Sequence, residues 1–259
     1  MVSKLLSGKT AVVTGAGRGI GKAVAVAFAR AGADVIICAR NAIEIESVAS
    51  EVKQFGGSAV PVSVDLSDAD QTKSFCDTVV AEVGTLDVLV NNAGAYLERG
   101  AFVESDPDLW WQTIEVNLRG PYLMCRHLVP SMPAGSKIIN LTSGKGFSAG
   151  ANSSAYHVSK AALNMLTQSM ANELWTCGID VNSLVPGPTA TATFDNKPLG
   201  QERSPEDILN SRKDTLPKGL PAWERVKHPD EVAQMALQLA TYPLGGPTGQ
   251  VFSLARRPL

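Results

Sequence analysis

The sequence predicts an α/β fold in which a parallel β-sheet lies between two layers of helices. Short runs rich in β-branched residues alternate along the chain with longer segments of helical period. The strand-like runs are apolar on both faces, as is typical of parallel strands that helices cover on each side. Because such crossovers are right-handed, the alternation predicts a Rossmann-type, doubly wound sheet in a three-layer α/β/α sandwich.

Each strand and helix follows from its local pattern. The predicted strands are short, β-branched runs at residues 10–14, 35–39, 59–64, 86–91, 137–141, 180–185 and 250–254. The predicted helices repeat their apolar residues every three or four positions, from about residue 19 and at 43–55, 69–83, 109–129, 155–177 and 230–240.

The chain is predicted to form one domain over residues 1–259. This length is enough for a single large core, and no linker or shift in composition divides it. One interval interrupts the alternation: the segment 187–228 is rich in proline, and long excursions in compact domains are typically functional loops. We expect this segment to be a substrate lid, with a short helix at 205–216 that has Ser204 as its N-cap and Pro205 in its first turn.

Composition narrows the class of protein and its partners. A net charge of −2 and a pI of about 5.9 argue against nucleic acid and anionic membranes as partners. The histidines and cysteines show no ligand-type spacing, which predicts no metal site and reduced, buried cysteines. No apolar run is long enough for a signal peptide or a membrane span, so a cytoplasmic protein is expected.

A glycine-rich turn follows the first predicted strand and opens the first helix. It reads Thr14-Gly15-Ala16-Gly17-Arg18-Gly19-Ile20-Gly21. Glycines allow a tight turn and a close approach to a pyrophosphate, and the helix N-terminus presents unpaired N–H groups to it. In this strand–turn–helix context the motif predicts a dinucleotide site formed by Gly15, Arg18, Gly19, Ile20 and Gly21.

The residues after the second strand favour NADPH over NADH. NAD sites of this fold place an acid there for the ribose 2′-hydroxyl, but this chain has Ala39 and Arg40. Arg40 and Arg18 are suited to a 2′-phosphate, because a guanidinium pairs with phosphate oxygens in a fork geometry. Asp65, after the third strand, is a candidate acceptor for the adenine amino group or, alternatively, a cap for the turn into the next helix.

A tyrosine and a lysine on one predicted helix form the candidate catalytic pair. Tyr156 and Lys160 are four residues apart, so they share a helix face. A neighbouring ammonium lowers the pKa of a phenol, which would let Tyr156 exchange a proton near neutral pH. A second hydroxyl, Ser143, lies thirteen residues before the tyrosine. Because the same spacing is also typical of a solvated helix face, the interpretation depends on the other motifs.

Taken together, these motifs resemble the short-chain dehydrogenase/reductase family in its single-domain form. The resemblance covers nearly the whole chain. It rests on residues in the family's order: Thr14-Gly15-x-x-x-Gly19-Ile20-Gly21, Asp65, Asn91-Asn92-Ala93-Gly94, Asn117, Ser143, Tyr156-x-x-x-Lys160 and Pro186-Gly187. Each match alone is common, whereas the full set in one chain of this length is specific.

The resemblance implies hydride transfer between a nicotinamide cofactor and a carbonyl or alcohol. By that resemblance Tyr156 is the proton donor or acceptor, Ser143 stabilises the substrate oxygen, and Lys160 binds the nicotinamide ribose and lowers the tyrosine pKa. Asn117 would hold a water of a proton relay. The other implied cofactor contacts are Asn91, Ala93, Gly94, Pro186, Gly187 and Thr189, the last of which would bind the nicotinamide carboxamide.

The motifs do not specify the substrate, and three interpretations stay open. The first is an NADP(H)-dependent reductase of small or medium apolar ketones or aldehydes. A moderately apolar pocket is suggested by residues that flank the catalytic positions or belong to the presumed lid: Tyr96, Phe147, His157, Pro186, Phe194, Leu199, Ile208 and Leu209. The second is a β-ketoacyl-thioester reductase, for which Arg99, Lys145 and Lys197 could supply a basic patch. The third is an NADP(H)-sensing binding protein without turnover.

The resemblance also implies self-association. The predicted helices at 109–129 and 155–177 resemble those that build the family's four-helix interfaces. A homotetramer is the first expectation and a dimer the second, and a small carbonyl or alcohol is the other expected partner.

Overall fold

A seven-stranded parallel sheet forms the centre of the protein in our computed structural model, which describes residues 4–195, 201, 203–211 and 220–259. The strand order is β3-β2-β1-β4-β5-β6-β7, and every neighbouring pair is parallel. The strands are β1 Thr10–Thr14, β2 Asp34–Ala39, β3 Ser58–Ser63, β4 Val88–Asn91, β5 Lys137–Leu141, β6 Asp180–Val185 and β7 Val251–Ser253. The predicted Rossmann-type sheet is therefore confirmed.

Helices connect the strands and cover both faces of the sheet. Those in the described part of the chain are α1 Gly19–Arg30, α2 Ala42–Gln54, α3 Ala69–Val83, α4 Pro107–Ile114, α5 Gly120–Leu128, α6 Ser154–Leu174, α7 Ala192–Asp195, α8 Pro205–Ser211 and α9 Pro229–Ala240. The predicted helix at 155–177 ends at Leu174 and continues only as a 3₁₀ turn.

The core consists of two apolar layers, one on each face of the sheet. Successive strand residues point to opposite faces, so Val13 and Val90 pack on one side while Val12 and Leu89 pack on the other. Helices α1, α2 and α9 contribute to the first layer, and α3, α5 and α6 contribute to the second.

A π-helical turn divides the helix that was predicted at 109–129. It spans Glu115–Arg119 and joins α4 to α5. Pro121 has no N–H group, so the carbonyl of Asn117 lacks the donor that a regular α-helix would supply from that position. Single π turns of this kind occur frequently at functional sites.

In the residues that the structure describes, the proline-rich segment contains two short helices, only one of which was predicted. The N-terminus of α8 is capped as expected, since the Asp207 N–H donates to the Ser204 hydroxyl over 3.1 Å. Ile208 of this helix packs in a small cluster with Ala190 and Val226. The predicted continuation to residue 216, together with Lys197 and Leu199, lies outside the described residues.

Two further predictions concern the chain as a whole. Three cysteines are buried as expected, but Cys177 is exposed because it lies in the 3₁₀ turn after α6. Among the helices that the structure describes, none is both long enough and apolar enough to span a membrane.

The sheet order brings the predicted site residues to one edge. Strands β1 and β4 are neighbours, and their crossovers leave on opposite faces, which opens a crevice at their carboxyl ends. Thr14, Asn91, Leu141 and Val185 end the four central strands at this edge. The glycine turn, Ser143 and Pro186 therefore follow neighbouring strands.

Candidate active site

The glycine turn is held in shape by side chains from outside it. Gly15 and Gly19 have φ of +63° and +56°, which is the left-handed region that favours glycine. The Asn92 side chain donates to the carbonyls of Thr14 and Gly15 over 2.8 and 3.1 Å. A Cβ on Gly21 would lie 2.3 Å from the Gly15 carbonyl oxygen and 2.4 Å from the Asn92 Nδ2. The turn thus requires glycine at position 21 as well.

The N-terminus of α1 is arranged for an anion. Its N-cap residue, Arg18, makes no side-chain hydrogen bond to the first turn, and that turn contains no acid. In contrast, α2, α3 and α4 are capped by the side chains of Asn41, Asp68 and Asp106. An uncapped helix start with a glycine turn before it fits a pyrophosphate, because its free N–H groups and dipole favour negative charge. Ile20, in contrast, packs against the core layer beneath the helix.

A carboxylate lies close to the proposed 2′-phosphate region. Arg40 is exposed after β2, and Arg18 is 55% exposed. The Arg18 Nη1 lies 4.0 Å from Glu44 Oε1, and the Glu44 side chain covers Gly17, where a Cβ would be 2.7 Å from Oε2. The end of β2 has no acid, as the sequence shows, but Glu44 brings a carboxylate into this region from α2. The acid was missed because it belongs to the first turn of α2, beyond the end of the strand.

Asp65 caps its own turn. One carboxylate oxygen, Oδ1, accepts from the backbone N–H and the hydroxyl of Ser67, over 2.9 and 2.8 Å. Asp65 thus acts as the turn cap that was predicted as the alternative to an adenine contact. The two hydrogen bonds from Ser67 engage one of its two carboxylate oxygens.

The residues after β4 fall into two groups. The Asn91 side chain is buried and donates to Asn140 Oδ1 over 2.9 Å, so it faces the core and not the crevice. The Ala93 N–H donates to the Thr14 hydroxyl over 2.9 Å and fixes β4 to β1. Gly94 borders the crevice, since a Cβ there would lie 3.6 Å from the Lys160 Nζ. The missing side chain leaves space for a ligand in front of that ammonium.

The segment that follows β6 packs against the glycine turn. Pro186 is buried, and Gly187 has a φ of +68°. Thr189 is buried, forms a β-bridge with Lys227, and donates its hydroxyl to the Gly187 carbonyl over 3.2 Å. Two residues further on, Thr191 Cγ2 lies 3.2 Å from the position of a Cβ on Gly19. The predicted nicotinamide and pyrophosphate contacts therefore lie close together.

Ser143 and Tyr156 lie next to each other at the same edge. Ser143 follows β5 with extended backbone, and its hydroxyl accepts from the Lys145 N–H over 3.2 Å. Tyr156 lies in the first turn of α6 and is half-buried. Burial raises the pKa of the Tyr156 phenol, the hydrogen bond with Ser143 partly opposes this rise, and the neighbouring Tyr96 adds to it.

Lys160 is buried one turn after Tyr156. Its Nζ donates to the Leu141 carbonyl over 2.9 Å and lies 5.8 Å from the centroid of the Tyr156 ring. Loss of solvation lowers the pKa of this ammonium to about 8. The Lys160 ammonium donates to Leu141 and lies close to the Tyr156 ring, so the lowering of the tyrosine pKa by Lys160 stays a prediction.

Asn117 lies in the π turn, with its side chain fully engaged. Its Oδ1 accepts from the Ala95 N–H over 2.7 Å, and its Nδ2 donates to the Ala95 carbonyl and the Ser159 hydroxyl over 2.8 and 3.1 Å. Ser159 in turn donates to the Tyr156 carbonyl over 2.9 Å. The side chain thus joins α6 to the loop after β4 through three hydrogen bonds.

Two residues at the site were not given a catalytic or cofactor-binding role by the motifs. Tyr96 lies edge-on against Tyr156 with ring centroids 4.9 Å apart, and Lys145 donates to the Tyr96 hydroxyl over 3.1 Å. The two are 49 positions apart in the chain. The available signal was position in the sequence, because Lys145 lies two residues after Ser143 and Tyr96 lies two residues after Gly94. The pocket beside Tyr156 is more polar than the apolar one that was expected.

Known proteins have sequences similar to that of this chain. The family model for short chain dehydrogenases matches residues 9–202. An uncharacterized oxidoreductase of Bacillus subtilis, YxbG, is 37% identical over 247 residues, which are 95% of this chain and 89% of that protein. A 3-oxoacyl-(acyl-carrier-protein) reductase of Thermotoga maritima is 34% identical over 252 residues, which are 96% of this chain and 97% of that protein.

Solved structures agree with the sequence relatives. A short chain dehydrogenase from Burkholderia cenocepacia, crystallised in complex with NADP, is 30% identical and superposes with a TM-score of 0.82 over 96% of each chain. The seven-stranded parallel sheet flanked by helices agrees with these matches. The chain therefore belongs to the short chain dehydrogenase family and is an oxidoreductase of that family.

Proposed function

We propose that the protein reduces a carbonyl group to an alcohol, or oxidises the alcohol in reverse, with NADP(H) as its cofactor. The observation that carries the proposal is the placing of Ser143 and Tyr156 beside buried Lys160, at the edge where the uncapped helix α1 begins. A serine hydroxyl and a tyrosine hydroxyl beside a dinucleotide-binding crevice are suited to proton transfer at the oxygen of a bound substrate.

In the reduction, the chain's own residues act on the carbonyl oxygen. NADPH, when bound, supplies the hydride that the carbonyl carbon receives. Ser143 donates a hydrogen bond to the oxygen, which gains negative charge as the C=O π bond breaks. Tyr156 then transfers its phenolic proton to that oxygen and forms the alcohol. The raised pKa of Tyr156 keeps the phenol protonated near neutral pH, which favours the reducing direction.

Lys160 and Asn117 would restore the proton of Tyr156. An ammonium with a pKa of about 8 releases and regains a proton near neutral pH, unlike an ordinary lysine. The backbone carbonyl of Asn117 is the group that we assign to the water of the relay, because its side chain is engaged with Ala95 and Ser159. Lys160 would also bind the nicotinamide ribose through the space in front of Gly94.

The preference for NADP(H) depends on two arginines and is opposed by one acid. Arg18 and Arg40 supply positive charge where a 2′-phosphate would lie, whereas Glu44 would repel that phosphate. Replacement of Arg40 by Asp is expected to lower the NADPH-to-NADH ratio of kcat/KM about tenfold or more, and Glu44→Gln is expected to raise it. Ratios that stay unchanged in both variants would remove the basis for this preference.

Tyr156→Phe tests the proton donor. The variant removes the phenolic proton but keeps the ring, so turnover across a panel of ketones and aldehydes is expected to be lost. NADPH binding, followed by protein-to-nicotinamide energy transfer, is expected to persist. Tyr242→Phe is the matched control, because Tyr242 follows α9 and packs against the first core layer. Wild-type turnover in Tyr156→Phe would sink the mechanism.

A second candidate, a β-ketoacyl-thioester reductase, is favoured by the sequence similarity to the Thermotoga maritima reductase. A carbonyl panel that includes ketoacyl thioesters separates the two, since a hundredfold preference for thioesters would favour the second. NADPH binding without any turnover would instead indicate a sensor protein.

Self-association is proposed from exposed apolar side chains on the central helices. They lie on α4, α5 and α6: Leu109, Trp111, Tyr122, Val158 and Met165. Apolar groups exposed on neighbouring helices are typical of interaction faces. We propose that the protein forms a homotetramer or, alternatively, a dimer. We also propose that it acts in the cytoplasm and that residues 187–228 form its substrate lid. Sedimentation velocity distinguishes both assemblies from a monomer.

A further inference from the structure

A lysine is built into the loop that carries the catalytic serine. Lys145 lies in the 3₁₀ turn Gly144–Gly146, and its N–H donates to the Ser143 hydroxyl oxygen. The His157 Nδ1 lies 2.7 Å from the Lys145 carbonyl and 2.8 Å from the Ser148 carbonyl. Both oxygens only accept, so Nδ1 carries the hydrogen and fixes this loop to α6.

The Lys145 ammonium is held directly beside Tyr156. Its Nζ donates to the Tyr96 hydroxyl over 3.1 Å and to the Ser153 hydroxyl over 3.3 Å. It lies 4.7 Å from the centroid of the Tyr96 ring and 6.0 Å from that of Tyr156. These two acceptors are neutral and use two of the three N–H bonds, so the charge is oriented but not neutralised by them.

The charged groups close to Lys145 are one further cation and one acid. None of the ion pairs in the described part of the chain includes Lys145. The Arg99 guanidinium stacks on the Tyr96 ring at 4.3 Å and adds positive charge. The neighbouring acid, Glu98, is buried and accepts from the Ala155 N–H at the start of α6 over 3.3 Å.

We propose that Lys145 binds an anionic group of the substrate, and that the substrate is a small oxo acid whose carboxylate lies a few bonds from the carbonyl. This proposal rests on the proposed carbonyl reduction and names its substrate class. A half-buried ammonium with an open N–H bond forms a charge-assisted hydrogen bond to a carboxylate, while Ser143 and Tyr156 hold the carbonyl oxygen.

Distance distinguishes the carboxylate of an oxo acid from the phosphate of a phosphopantetheine arm. An anion in contact with the Lys145 Nζ lies about 3 Å from it. Since that Nζ is 6.0 Å from the Tyr156 ring, the anion stays close to the reacting carbonyl. The phosphate of a ketoacyl thioester is separated from its ketone by the full length of the pantetheine chain, so it belongs to a more remote part of the surface.

The test compares acids with their neutral esters. Pyruvate, acetoacetate and levulinate are each assayed with NADPH beside their methyl esters, and the acid-to-ester ratio of kcat/KM is the readout. The wild-type protein is expected to prefer at least one acid to its ester. Lys145→Met is expected to lower that ratio tenfold to hundredfold, the range of about 1.5–3 kcal/mol for a hydrogen bond to a charged group.

Two further variants identify the cause of a change. Lys145→Arg keeps the charge and is expected to preserve most of the ratio, and Lys53→Met removes an exposed lysine of α2 and is expected to leave it unchanged. An unchanged ratio in Lys145→Met, or acids that are no better than esters with the wild-type protein, would overturn the proposal. An equal loss on acids and esters would do so as well, since it would mean that Lys145 only positions Ser143.

A failure of the proposed function has a different signature. Lactate binding to the protein with NADP⁺, measured by calorimetry, needs no turnover. If wild-type protein binds lactate and Lys145→Met does not, while no carbonyl is reduced, the anion site stands and the proposed reaction fails.

Discussion

Replacing Lys160 by methionine is expected to stabilise the fold while it abolishes turnover. The side chain is only 4% exposed, and its ammonium donates to one carbonyl, that of Leu141. No acid pairs with it among the described residues. Methionine has a similar length and no charge, so it fills the same space without the cost of desolvating an ammonium.

The magnitude follows from the pKa of the ammonium. This pKa falls from its usual 10.5 to about 8. A tenfold change in proton affinity corresponds to about 1.4 kcal/mol, so the charged form destabilises the folded protein by about 3 kcal/mol below pH 8. The Leu141 carbonyl loses its donor in the variant, which costs about 1 kcal/mol. A net gain of about 2 kcal/mol in the free energy of unfolding is expected at neutral pH.

The pH dependence provides a second check on the same reasoning. Between pH 8 and pH 10.5 the unfolded chain still holds a proton that the folded chain has released. The stability of the wild-type protein therefore rises with pH through this window, relative to Lys160→Met, and the difference between the two decreases. Urea unfolding of both proteins without cofactor at neutral and alkaline pH measures this difference, with Lys53→Met as the exposed control. A variant that is less stable at neutral pH, or a difference that does not change with pH, would refute the argument.

Three other outcomes are expected. In the cofactor-free protein the pKa of the Tyr156 phenol should lie above its usual value of 10, because burial raises it. A pH titration of the phenolate absorbance measures this. A phenolate signal near pH 8 that disappears in Tyr156→Phe would contradict the expectation. Lys137 and Asp180 form a buried ion pair, with Nζ and Oδ2 2.5 Å apart. Lys137→Met should lower the free energy of unfolding in urea by about 3–5 kcal/mol, because it leaves the Asp180 carboxylate buried without a partner, and adding Asp180→Leu should restore most of that loss. A double variant as unstable as Lys137→Met would argue against this cause. Gly21→Ala should lose NADPH binding in a fluorescence titration, because its Cβ would overlap the Gly15 carbonyl, and wild-type affinity would show that the turn adapts.

The features that could be predicted from the sequence depend on local signals. Apolar periodicity located the strands and helices, and the order of strand and helix located the edge where the site lies. The glycine turn was recognisable because positive φ at Gly15 and Gly19 restricts those positions to glycine in any context. The helical spacing of Tyr156 and Lys160 likewise depends only on one helix.

The features that could not be predicted depend on contacts between distant segments. Glu44 reaches Gly17 across 27 positions, and Lys145 reaches Tyr96 across 49. The direction of the Tyr156 pKa shift depends on burial and on where the Lys160 ammonium finds an acceptor, and neither is encoded in a four-residue spacing. Helix α7 is four residues long, which is too short for a periodic signal.

The contact between Asn92 and the glycine turn has a consequence for the order of folding. Thr14 and Asn92 are 78 positions apart, so the turn does not acquire its final shape until β4 has paired with β1. Loops that close late contribute little to the rate-limiting nucleus. A nucleotide that binds only the finished turn would therefore slow unfolding of the native protein without accelerating the folding of a newly made chain.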